Sequence, residues 1–161
     1  MRIIFALCAV LAAVTSAAAF GQQVPGPYGP PVTLAQARAI VDAAHREAKT
    51  RNATMAFAVV LPSGEPILLE VMDGTQSASI VIAPAKARSA ARFRRSTKAF
   101  ADAVAAGAGP ALATIDDVVA FEGGLPIVEN GRVIGAFGVS GGTTAQDAEV
   151  AAAALASIGK R

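Results

Sequence analysis

Leu125-Pro126-Ile127-Val128-Glu129-Asn130-Gly131-Arg132-Val133-Ile134-Gly135-Ala136-Phe137-Gly138-Val139-Ser140 is the stretch on which the fold turns. Two apolar, β-branched runs flank Asn130-Gly131, the pair that most favours a two-residue type I′ turn. The spacing predicts an antiparallel hairpin of Leu125–Val128 and Arg132–Ser140. Gly135 and Gly138 carry no side chain to pack, so they mark bulges or places where another backbone comes close.

The same pattern extends upstream. Met55–Leu61 and Pro66–Met72 are two more apolar runs, joined by Pro62-Ser63-Gly64-Glu65 as a turn. Val118–Phe121 is predicted as a further extended segment, ended by Glu122-Gly123-Gly124, and Leu112–Asp117 as a helical turn or a loop. Helical periodicity takes over elsewhere. Thr33-Leu34-Ala35-Gln36 is a capping box that opens a helix, with Leu34, Ala37, Val41, Ala44 and Ala48 as its buried stripe and an end near Arg51-Asn52. Ala78–Phe93 is the next helix, with Pro84 at its first turn or a kink and a stripe of Ile80, Ala83, Ala87 and Ala90 or Ala91. Thr97–Ala106 follows, stopped by Gly107-Ala108-Gly109-Pro110. Thr143 or Thr144 caps a last helix reaching about Ile158. The order is α-β-β-α(α)-β-β-β-α, an α+β domain whose antiparallel sheet is flanked by helices.

The N-terminus has a different logic. Arg2, the apolar run Ile3–Val14 and small residues ending in Ala17-Ala18-Ala19 read as a cleavable signal peptide over residues 1–19. The run is short for a membrane span. Residues 20–31, rich in Pro and Gly, read as a flexible leader in which Tyr28 is free to dock on the domain or a partner. Residues 32–161 are then one domain in an exported chain, periplasmic or extracellular, with no membrane span after cleavage.

Removal of the first 19 of 161 residues takes away the only cysteine, Cys8. The remainder has no disulfide, thiolate nucleophile or Cys-based metal site. A single histidine excludes a His-pair metal centre. The chain is 53% hydrophobic and 16% charged, which suits a packed core rather than disorder. Loss of Arg2 from its 14 basic side chains leaves one more than the 12 acidic ones. That balance, with few aromatics, argues against a nucleic-acid partner. The run Gly135–Gly142 is read as a turn into a capped helix rather than as a phosphate loop, and Gly138–Gly142 as glycines without the G-x-S-x-G spacing of a nucleophile elbow.

Candidate site residues are few. His45 lies on the first helix at the edge of its apolar stripe. It is either a haem-iron ligand or a boundary histidine bonded to water or backbone. Lys86, Arg88, Arg92, Arg94, Arg95 and Lys98 form a basic run with no acid between Asp73 and Asp102. Arg88, Arg92 and Arg95 share a helical face suited to carboxylates such as haem propionates, or to a solvated or subunit surface. Glu122 is a base or ligand at a chain break, or part of a bulge.

The run from Gly123-Gly124-Leu125-Pro126 through Gly135-Ala136-Phe137-Gly138-Val139-Ser140-Gly141-Gly142-Thr143, with Gln146-Asp147 after it, resembles the signature of the GlcG/HbpS family. Met72-Asp73-Gly74, Ala78-Ser79 and Lys86-Ala87 stand where that family has similar residues. The resemblance spans about Val32–Ile158. It implies a profilin-like antiparallel sheet flanked by helices, haem as cofactor and frequent homo-oligomers. Members include extracellular haem-binding proteins and haem-binding domains attached to cobalamin adenosyltransferases, and the family is often labelled haem-degrading. Arg88 departs from an aromatic common at its position, and Glu122 from a glycine. The resemblance therefore points to an exported protein that captures, buffers or senses haem. The alternatives are an oligomeric accessory module of an envelope sensor and an enzyme acting on haem or a small organic acid.

Overall fold

The computed structural model describes residues 26–158, so the expected signal peptide and residues 20–25 lie outside the described residues. Four strands, β1 (Ala56–Val60), β2 (Pro66–Val71), β3 (Gly124–Glu129) and β4 (Arg132–Ser140), form one antiparallel sheet in the order β2-β1-β4-β3. Helix α1 (Leu34–Thr50) and the last helix, α5 (Thr144–Ile158), pack on one face. Helix α2 (Ser79–Phe93) packs on the other.

Alternation along the two central strands sets this layering. Phe57 and Val59 of β1 and Phe137 and Val139 of β4 point towards α1 and α5. Their neighbours Ala56, Ala58 and Ala136 point towards α2. Both phenylalanines are fully buried, their ring centroids 6.3 Å apart. Each contributes about 1.5–3 kcal/mol from burial. The opposite face is lined with small residues, so the Ala83, Ala87, Ala90 and Ala91 stripe of α2 comes down almost onto the backbone. A Cβ built on Gly138 would lie 2.1 Å from the Ala83 carbonyl oxygen. Glycine is therefore needed at 138 for helix approach.

The hairpin turn forms as its sequence predicts, with Asn130 and Gly131 at positive φ. Thr33 and Gln36 make the capping box of α1. Thr143 caps α5 through the reciprocal bonds it makes with Gln146. Thr144 is inside that helix, and Asp147 turns inward instead.

Several expectations are corrected. Val118–Phe121 forms no strand: Val119 N–H donates to Ser89 Oγ of α2 at 3.2 Å, so the segment lies against that helix instead of pairing with the free edge of β3. One stop falls where the sequence puts it: α3 (Lys98–Ala103) keeps helical backbone through Ala106 and breaks at Gly107, which takes φ +97°, and the chain resumes as α4 (Gly109–Leu112) with Pro110 in its opening turn. Pro84 lies in the second turn of α2 rather than the first. Leu34 and Ile80, placed on buried stripes by periodicity, are exposed because each sits in the first turn of its helix, beyond the sheet.

The start of the domain is also tied down. β1 pairs with β4 only from Ala136 to Ser140, leaving Arg132–Gly135 without a β1 partner. Gly26–Val32 takes that place. Gly29 N–H donates to the Val133 carbonyl, Val133 N–H to the Pro27 carbonyl, and Val32 N–H to the Ile134 carbonyl. The Tyr28 hydroxyl shares its one proton between the carbonyls of Ala91 and Arg92 at the end of α2, where Ala91 also accepts from Arg94 N–H. The Arg94 guanidinium lies over its ring, 5.0 Å from the centroid. Tyr28 thus docks on the domain itself.

Candidate functional site

The five expected site residues do not converge. Helix α1 crosses one face of the sheet from the β3 edge, where Gln36 bonds Glu129, to the β2 edge, where His45 meets Glu70. His45 is a quarter exposed, with Nε2 2.6 Å from Glu70 Oε1. Nε2 makes no aligned hydrogen bond, and Glu70 is the carboxylate that faces it. The imidazole tilts over the Phe57 ring at 5.1 Å. A carboxylate on one side and an aromatic wall on the other fix its orientation.

Lys86 and the two arginines lie on the other side of the sheet. Lys86 is 1% exposed. Its Nζ donates to Asp147 Oδ2 at 2.7 Å and to the Val139 carbonyl at 3.0 Å. It reaches Asp147 past Gly123, where any Cβ would collide with Asp147 and Lys86 together. The Asp147 carboxylate also accepts from Gly142 N–H at 2.9 Å. Burial pushes the Asp147 carboxyl above its ordinary range, opposed by the Lys86 ammonium and the Gly142 N–H. Lys86 therefore ties α2 to α5 around the end of β3, and this is work for the fold.

Arg88 and Arg92 reach the β1–β2 turn. Arg92 Nε donates to the Ser63 carbonyl at 3.0 Å, and its guanidinium pairs with Asp117 and lies 3.6 Å from Glu65. Arg88 Nε lies 3.4 Å from the Gly64 carbonyl. Glu122 is held 3.6 Å from Lys98, which also bonds Asp102. Hydrogen bonding to Asp102 is the main cause raising the Lys98 ammonium above its ordinary value.

Gly138-Val139-Ser140-Gly141-Gly142 does carry G-x-S-x-G spacing, contrary to the reading that no elbow is spelled there. The geometry is not an elbow. Ser140 ends β4, is buried, and its hydroxyl bonds Ser79 Oγ at 3.0 Å. The histidine is on the opposite face of the sheet.

A cleft of about 600 Å³ opens where the start of α1, the end of α5 and the β3 edge meet. Sequence reasoning did not anticipate it, because its walls are ordinary core isoleucines and leucines seen from their open side. His45 does not line it. Among the described residues no cluster of three His, Cys, Asp or Glu is placed to hold a metal ion, and no helix is long and apolar enough to cross a membrane.

Residues 32–156 match the model of a family described as haem degrading protein HbpS-like. A 15.0 kDa protein from the dhaT-dhaS intergenic region of Citrobacter freundii is 40% identical over 127 residues, covering 77% of this chain and 89% of that one. The Klebsiella pneumoniae protein ORFY is 34% identical in sequence and superposes with a TM-score of 0.77, over 83% of this chain and 94% of that one. PduOC, solved as a heme complex, superposes with a TM-score of 0.72 at 26% identity, over 78% of this chain and 94% of that one. With the fold, the signature and these relatives in agreement, the chain belongs to the HbpS-like family.

Proposed function

We propose that this protein binds haem outside the cytoplasm, to capture, buffer or sense it, and that His45 supplies the iron ligand. The observation that carries the reading is the placement of His45. It is the only imidazole of the chain, partly open to solvent and braced by Glu70 and Phe57. The surroundings suit the group. Phe57, fully buried, backs the imidazole from beneath, Leu69 and Val71 of the neighbouring β2 are exposed apolar side chains, and Lys49, one turn further along α1 and exposed, offers a cation for a propionate. With Glu70 against Nε2, Nδ1 is the nitrogen left for iron. Bound there, the group would supply ligand binding or redox chemistry. The chain's own part is to hold the ring still and shield one side of it. The family description and the heme complex of PduOC support the reading, and residues 1–19 support export. Hemin titration of the secreted protein, followed at the Soret band, tests it. A saturable shift lost in His45→Ala is expected, and no saturable shift would refute it.

We further propose that the protein works as a homo-oligomer. No residue from Ala101 to Glu122 is buried, although this segment is mostly apolar and exposes Val104, Ile115 and Phe121. Such a surface suits contact with another copy. Light scattering at working concentration should show a species larger than one chain.

A further inference from the structure

The cleft beside β3 is a candidate binding site in its own right. Its volume, about 600 Å³, falls within the range of small-molecule sites. Pro126, Val128, Leu155 and Ile158, none of them buried, give it an apolar wall over the buried Ile40, Ile127 and Ile134. Among the described lining residues the sole ionisable side chain is Glu129, and no described cation lines the cleft.

The carboxylate of Glu129 is held in place by the cap of α1. Thr33 N–H donates to Gln36 Oε1 at 2.9 Å as half of the capping box. That bond fixes the amide of Gln36, so its Nε2 points outward and donates to Glu129 Oε1 at 3.1 Å. Oε2 of Glu129 has no partner among the described residues. An oriented acceptor therefore stands at the mouth of an apolar wall, and its position comes from the helix cap rather than from any incoming group.

We infer that this cleft binds a small apolar molecule with a neutral or cationic N–H head, donating to Glu129, and that it disfavours anions. A propionate or another carboxylate placed at the rim would meet the like charge of Glu129, while Arg132, its cross-strand partner, turns its guanidinium to the Tyr28 carbonyl. The site is thus separate from the haem site proposed at His45.

Two fluorescent probes with the same aromatic body separate the outcomes. N-phenyl-1-naphthylamine is neutral and has an N–H donor; 1-anilino-8-naphthalenesulfonate adds a negative charge. The unaltered protein should bind the neutral probe saturably and about tenfold more tightly than the anionic one. Glu129→Lys, on the exposed rim, should reverse that order without disturbing the fold. Leu155→Trp should abolish binding of both by filling the cleft. Hemin titration should be unchanged by Glu129→Lys, so failure of the haem reading and failure of this one are seen separately. The inference is overturned if the anionic probe binds as tightly as the neutral one, or if neither variant alters binding. It is also overturned if the neutral probe binds only after residues 20–25 are removed, or only on dilution to single chains. Those last results would mean that the chain's own leader or a second copy fills the cleft.

Discussion

Lys86 Nζ and Asp147 Oδ2 are 2.7 Å apart and both side chains are almost fully buried, yet they belong to helices on opposite faces of the sheet. Asp147→Ala should cost about 3–5 kcal/mol, because it leaves the Lys86 ammonium buried with only the Val139 carbonyl for company. The double change Lys86→Met with Asp147→Leu should cost much less, since it removes both charges together. Urea unfolding of the two variants checks the difference.

The pH dependence follows from the raised carboxyl of Asp147. In the folded chain this group binds its proton above the ordinary value of 3.8, so the native state takes up a proton where the unfolded state has not. Its contribution to stability is therefore full below about 3.8 and is lost as pH rises through the folded value. Subtracting the pH profile of Asp147→Asn from that of the unaltered protein should leave a stability difference that declines upward across this window. A ¹³C titration of the Asp147 carboxyl should find its midpoint above 3.8. A midpoint below that would mean the ion pair outweighs burial.

Tyr28 is expected to act as a fastener. Tyr28→Phe removes the bonds to the Ala91 and Arg92 carbonyls and should cost about 1 kcal/mol. The signature is local: the Val133 amide, which donates to Pro27, should exchange faster with solvent while the Val139 amide, bonded to Gly123, should not. Equal effects at both amides would point to a global loss instead.

Gly138→Ala should be among the most damaging single-methyl additions in the chain. The new Cβ meets the Ala83 carbonyl oxygen at 2.1 Å and the Ala87 backbone nitrogen at 2.7 Å, so α2 must lift from the sheet at a cost of about 3 kcal/mol or more. Gly131→Ala meets nothing within 4 Å and carries only the strain of φ +73°, about 1–2 kcal/mol. Thermal denaturation of both should rank them in that order.

The sequence made the scaffold legible where local chemistry decides the outcome. Asn130-Gly131, Thr33 with Gln36, and Thr143 with Gln146 each name their own geometry. Gly138 was readable as a close approach, though not as the seat of Ala83. The site was less legible because it rests on pairs far apart in the chain. Lys86 and Asp147 look like surface charges on their own. The available signal was phase: Lys86 falls in step with Ala83 and Ala90, and Asp147 with Val150, Ala151 and Ala154, all of them buried. His45 stands at the edge of the α1 stripe, as its spacing implies, but nothing local announces Glu70 on a distant strand. Val118–Phe121 has the composition of a strand, and only its bond to Ser89, thirty residues back on α2, shows what holds it elsewhere.

The docked leader has a consequence for when the chain can close. Tyr28 is among the first residues of the domain to be made, and its partner Val133 comes after almost all the rest. A chain emerging from the ribosome has no β4 for the leader to join, and β1 likewise waits for β4 at its inner edge. The central pairings are therefore long-range ones, which form late and slowly. Until the final hairpin emerges, both the inner edge of β1 and the segment around Tyr28 lack their partner strand, so closure of the sheet waits on the C-terminal third of the chain.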